Sequence, residues 1–198
     1  MKYNILCTVL ISSIVGMAGC IGSSPSKDQT YESPAEAQIK HTQRAANLNR
    51  LAVLQIENGD YEKAIATLKK SLGIDMDFAP AHNNLGLIYY EQEQFYTAAW
   101  EFEYAVKLMD NPAEPLNNLG MVYEAVGQYK KAHSYYEKAY EADPDQIQIV
   151  GNFARNQVRQ GLRTPELKAM LDEIILKDSR ADWIEWATEQ RVLIGEVN

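Results

Sequence analysis

An all-α solenoid of stacked antiparallel helix pairs is what these 198 residues encode. Three features carry that expectation. Residues recur at a spacing of 34: Leu85-Gly86 and Leu119-Gly120 both follow Asn-Asn, and Tyr89 returns as Tyr123. Further along each unit, Ala64, Ala98 and Ala132 keep the same step, as do Leu68, Phe102 and Tyr136 and then Ser71, Ala105 and Ala139. Between these runs stand helix breaks, Gly59-Asp60-Tyr61, Gly127-Gln128-Tyr129 and Asp143-Pro144, the last because proline lacks an N–H and clashes with the preceding turn. A period this long marks a supersecondary unit that buries its apolar face only by stacking on its neighbours.

From the N-terminus, residues 1–19 read as an address. Lys2 is the only charge before Lys27, and it precedes an apolar run from Ile5 to Met17 that is too short to span a bilayer. Ala18-Gly19-Cys20 then supplies small residues before a cut site. Met17-Ala18-Gly19-Cys20 resembles the lipobox of bacterial lipoproteins, with Met where Leu is usual. That resemblance implies cleavage before Cys20, acylation of its thiol and new amino terminus, and a stable anchor, since two or more acyl chains hold where one does so only marginally. The other reading is an ordinary cleaved signal that leaves Cys20 a bystander. By the same resemblance Ile21, where Asp would signal inner-membrane retention, favours the periplasmic face of an outer membrane. Residues 20–34, rich in Gly, Ser and Pro from Gly22 on, read as a flexible tether.

The array is expected over 35–178, in units at about 45–78, 79–112, 113–146 and 147–178. The recurring residues resemble the tetratricopeptide repeat, a helix–turn–helix unit of 34 residues, and the likeness is good over about 45–144. Close helix crossing is expected to require Ala52, Gly86 and Gly120 against Ala64, Ala98 and Ala132. The middle unit has Glu93-Gln94-Phe95 at its turn, keeping the aromatic without the glycine. The fourth unit is degenerate: it keeps Phe153-Ala154, and Thr164-Pro165-Glu166 starts its second helix with a capping side chain and proline at the first position. Residues 179–198 hold a last helix whose apolar stripe includes Trp183, Ile184, Trp186 and Ala187 and is expected to seal the end of the stack.

In tetratricopeptide arrays the first helix of each unit lines a concave groove, and this resemblance supplies the candidate site. Asn84, Asn118 and Asn152 form one series at intervals of 34, with Arg50 at the matching place in the first unit. A second series, Asn49, Asn83 and Asn117, runs beside it. The first resembles the asparagines with which some superhelices of this family hold an extended peptide, and an amide suits that task because it donates and accepts at once. Bonding to the neighbouring helix is the alternative reading, and both stay open here. Arg155 and Arg159 stand one turn apart in the fourth unit, whereas Glu57, Glu91 and Glu124 lie toward the groove earlier. The groove is therefore expected to be polarised, receiving a carboxylate at the basic end.

Composition narrows the function. A formal charge of −8 argues against a nucleic-acid-binding face, which needs clustered Lys and Arg. His41, His82 and His133 lack metal-ligand spacing, no phosphate loop or nucleophile elbow occurs, and no cofactor or metal is implied. The expectation is a non-enzymatic, membrane-anchored scaffold for protein or peptide partners in the cell envelope, with a self-associating structural protein as the alternative.

Overall fold

The computed structural model describes residues 33–195, so Cys20, the apolar run and most of the tether lie outside the described residues. Nine helices and no strand occur among the described residues: α1 (Pro34–Glu57), α2 (Tyr61–Ile74), α3 (Ala79–Glu91), α4 (Phe95–Leu108), α5 (Ala113–Ala125), α6 (Tyr129–Ala142), α7 (Ile147–Arg159), α8 (Pro165–Lys177) and α9 (Ala181–Gly195). None of them is long and apolar enough to cross a membrane. Each helix packs on the next in sequence, and α1, α3, α5 and α7 also touch one another in succession. The odd-numbered helices are thus drawn together on one side, which makes that side the inner face of a curved stack.

The repeating small residues set the helix crossings, with a partner different from the one expected. A Cβ placed on Gly86 would lie 2.5 Å from the ring of Phe102, and one on Gly120 would lie 2.5 Å from the ring of Tyr136. The glycines are needed for these fully buried rings, in addition to any crossing at Ala98 and Ala132. The first unit has the narrower Leu68 in place of the ring, and there Ala52 suffices.

Turns also follow the period. Gly59, Gly127 and Gly161 end the first helices of their units with φ of +76°, +75° and +74°. Glu93 occupies the same place in the second unit with φ 58°, in the left-handed region where a side chain is strained. Thr164 caps α8, its Oγ1 accepting the Leu167 N–H at 3.1 Å, as the Thr-Pro-Glu start predicts.

The two ends of the stack differ. α1 extends N-terminally beyond the repeat, and Thr42 Oγ1 donates to Asp75 Oδ2 at 2.7 Å, tying the extension to the α2–α3 connection. Among the described residues no earlier helix covers α1, and Leu51 and Leu54 are 47% and 56% exposed, whereas their counterparts Leu85 and Ile88 are 2% and 1% exposed. At the other end α9 begins 34 residues after α7, at Ala181 against Ile147, and so stands where the first helix of a fifth unit would stand. Ala187 is fully buried, and Trp183 and Trp186 pack half-buried on the cluster that holds Val150, Ala154 and Leu171. A Cβ at Gly151 would come 2.6 Å from the Trp183 ring, so that glycine admits the indole.

Candidate functional site

The inner face is built by the odd-numbered helices, and the asparagine series lie on it interlocked. Asn84 Nδ2 donates to Asn49 Oδ1 at 2.9 Å, Asn118 to Asn83 at 3.0 Å, and Asn152 to Asn117 at 3.0 Å. Each rung joins one odd-numbered helix to the next, so the amides knit consecutive units together. Asn152 Oδ1 also accepts from Arg155 at 3.2 Å. Among the described residues the Asn84 and Asn118 amide oxygens accept no hydrogen bond and retain capacity for another donor. Arg50, at the matching place in α1, is exposed and donates to Asn47 one turn earlier. A depression of about 190 Å³ opens beside the central rungs, walled by Asn83, Asn117, Asn118, Leu87 and Gln148.

Charge on this face is arranged more tightly than a gradient along the groove. Glu57 and Glu91 are exposed, but Glu124 is buried and lies against the two arginines. Arg159 Nη1 pairs with Glu124 Oε1, and Arg155 Nε stands 4.0 Å from the same oxygen. The other oxygen, Oε2, accepts from the Tyr136 hydroxyl at 3.0 Å. Burial, followed by the Glu124 charge, pushes the Tyr136 phenol far above its ordinary range, so it stays a donor. Glu124 therefore lies beneath the basic end and does not belong to a separate acidic end.

Arg155 is the exceptional member of this cluster. Its guanidinium lies 4.9 Å from the Trp183 ring centroid, and Arg180, itself held by Asp178, lies 4.3 Å from the same ring. Arg155 Nε is buried and makes no hydrogen bond among the described residues. Buried donors are nearly always satisfied, and here the Glu124 carboxylate 4.0 Å away is the group that Nε faces. An open depression of about 190 Å³ is walled by Tyr90, Met121, Glu124, Tyr136, Arg155 and Arg159.

Of the residues singled out from the sequence, the six asparagines and Arg155 and Arg159 share the inner face. Arg50 stands apart from the arginine cluster, and Cys20 is outside the described residues. The Tyr136–Glu124 pair was missed. Its signal was present: a tyrosine stands where the other units have Leu68 and Phe102, and a buried hydroxyl needs a partner. A second buried pair, His82 and Glu101, lies between α3 and α4.

With this geometry established, two family models match: one described as TPR repeat over residues 55–93, and one described as tetratricopeptide repeat over 77–145. Residues 55–145 thus match tetratricopeptide-repeat models. Anaphase-promoting complex subunit 3 of Schizosaccharomyces pombe is 28% identical over 86 residues, covering 43% of this chain and 13% of that protein. Photosystem I assembly protein Ycf3 of Prochlorococcus marinus is 36% identical over 59 residues, covering 30% of this chain and 34% of its own length. The chain therefore spans about a third or less of these curated relatives. Among solved structures, the crystal structure of YrrB, described as a TPR protein with an unusual peptide-binding site, superposes with a TM-score of 0.57 at 22% identity, covering 79% of this chain and 84% of that one. At that identity the likeness concerns the fold.

Proposed function

We propose that this tetratricopeptide array is an adaptor that holds an extended segment of a protein partner along the face of α1, α3, α5 and α7. The partner's acceptor group, a carboxylate or peptide carbonyl, lies against Arg155 and Arg159. The observation that carries this reading is the pair of partly exposed arginines, Arg155 and Arg159, on the wall of an open depression. The unused amide oxygens of Asn84 and Asn118 supply acceptors for peptide N–H groups further along. At about 0.5–1.5 kcal/mol net per hydrogen bond these contacts orient a ligand, and apolar contacts such as those to Met121 and Tyr90 add affinity. A preformed face loses little ordering entropy on binding. Relatives described as a peptide-binding protein and as an assembly protein support the reading without naming a partner.

In the same proposal the array is tethered to a bacterial membrane through lipid on Cys20, at the periplasmic face of an outer membrane, where it assists assembly of an envelope complex. The support is the sequence Met17-Ala18-Gly19-Cys20-Ile21. Crosslinking in cells that carry the intact chain tests the groove. Arg155→Glu with Arg159→Glu is expected to remove the captured partner, and unchanged capture refutes the proposal. Cys20→Ser is expected to move the protein from the membrane fraction to the soluble fraction, and retention refutes the anchor.

The uncovered Leu51 and Leu54 favour a second reading, in which two copies meet through α1 as a structural assembly. Light scattering on the intact protein, compared with a Leu51→Gln and Leu54→Gln variant, distinguishes the two. A dimer abolished by the variant supports self-association.

A further inference from the structure

Away from the inner face, α6, α7 and α8 enclose a cleft of about 540 Å³, within the range of specific ligand sites. Its floor is apolar, made by Phe153, Met170 and Tyr140. Its rim is acidic: Glu137 and Glu141 come from α6, and Glu166 and Glu173 come from α8. Glu173 is paired with Lys177 at 2.8 Å, whereas the other three carboxylates make no ion pair among the described residues. Like charges gathered around an apolar floor repel one another, and a cation is the natural complement.

A second and independent observation concerns Gln157. Its side chain reaches the cleft from α7 and is only 5% exposed. Among the described residues its one side-chain hydrogen bond is a weak one, Nε2 to the Met170 sulfur at 3.6 Å, and its amide oxygen accepts none. An amide so deeply placed normally finds a full partner. Here it offers an acceptor, and a loosely held donor, to whatever enters.

We infer that this cleft is a second docking site, for a cationic segment of a partner protein that carries one apolar anchor. The anchor side chain enters over Phe153 and Met170, a backbone amide of the ligand donates to Gln157, and Lys or Arg side chains meet Glu137, Glu141 and Glu166. The site is separate from the arginine cluster and has the opposite charge preference, so the array can engage two segments of unlike chemistry at once.

The test uses the full chain and a fluorescent model peptide of Leu and Lys at helical spacing, with a Leu/Glu peptide as its counterpart. Fluorescence anisotropy reads binding, and NMR reads the Met170 methyl and the Gln157 side-chain amide. The Leu/Lys peptide is expected to bind and shift both signals while the Leu/Glu peptide does not. Glu137→Lys with Glu166→Lys, two exposed sites, is expected to weaken binding about tenfold. Glu62→Lys with Glu189→Lys makes the same change in net charge elsewhere, on exposed positions, and is expected to leave binding nearly unchanged. Equal weakening by the two pairs would mean diffuse attraction to an acidic protein and would overturn the inference. So would absence of binding, shifts centred on the Met121 methyl of the inner face, or self-association of the chain through the cleft.

Discussion

The close approach of Gly86 to Phe102 offers a sharp test of how each unit is packed. In Gly86→Ala the new Cβ meets three ring carbons at 2.5, 2.7 and 2.9 Å, where ordinary contact begins near about 3.5 Å. Phe102 is fully buried, so its ring can yield only by displacing neighbours or leaving its rotamer. Overpacking of this kind costs about 1–3 kcal/mol, against which alanine returns about 1 kcal/mol of helix propensity. A net loss of up to about 2 kcal/mol is expected, or a fall in Tm of up to about 8 °C for a protein of this size. The first unit shows the remedy, since Ala52 stands there with Leu68. Phe102→Leu alone is expected to cost about 1 kcal/mol, and in that background Gly86→Ala is expected to be neutral or stabilising, giving a favourable coupling of about 1–3 kcal/mol. Urea denaturation of the four proteins, followed by circular dichroism, measures the cycle. Additive effects would show that the ring does not dictate the glycine.

Glu93→Gly removes a side chain from the left-handed turn position that glycine fills in three other units, and is expected to raise stability by about 0.5–1 kcal/mol in the same assay. Glu124→Leu strands the buried Tyr136 hydroxyl and is expected to cost about 1–3 kcal/mol; adding Tyr136→Phe should recover part of that loss. His82 bonds Glu101 Oε2 through Nδ1 at 2.7 Å and the Met76 carbonyl through Nε2 at 3.0 Å, an arrangement that suits two N–H donors, while Tyr104 packs against the ring. Burial lowers its pKa, but the Glu101 hydrogen bond, the Met76 carbonyl and the charges of Glu101 and Asp77 outweigh it and hold the pKa above the usual 6.5. The folded protein therefore keeps the proton more tightly than the unfolded chain. The stabilisation is fully present below about pH 6.5 and is lost as pH rises through the folded value. Denaturation at a series of pH values should show this decline, and Glu101→Gln should flatten it.

Most of the fold was legible because a stack of like units repeats its constraints in the sequence. The 34-residue step recurs from unit to unit, the turn glycines and the Thr164 cap each act within one turn, and sequence patterns report such constraints directly. The position of α9 was equally present in the numbering, since Ala181 follows Ile147 at the same step, although its composition gives little sign of a repeat. What the pattern concealed is contact between unlike positions. The asparagines line up at intervals of 34, but their bonds run between residues 35 apart, across two adjacent series. A period aligns equivalent places and says nothing of which inequivalent ones meet. Glu124 shows the same limit: Tyr136 and Arg159 reach it from two other helices, so its burial was invisible in a sequence where a carboxylate ordinarily faces water.

Those amide rungs also act as spacers. Because every link runs between consecutive inner helices, the pitch and bend of the whole array are dictated by side chains on the very surface that greets a visitor. Natural drift at Asn83 or Asn117 would thus reshape the cradle before it altered a handhold, and partner choice could change through geometry while all other chemistry stayed the same.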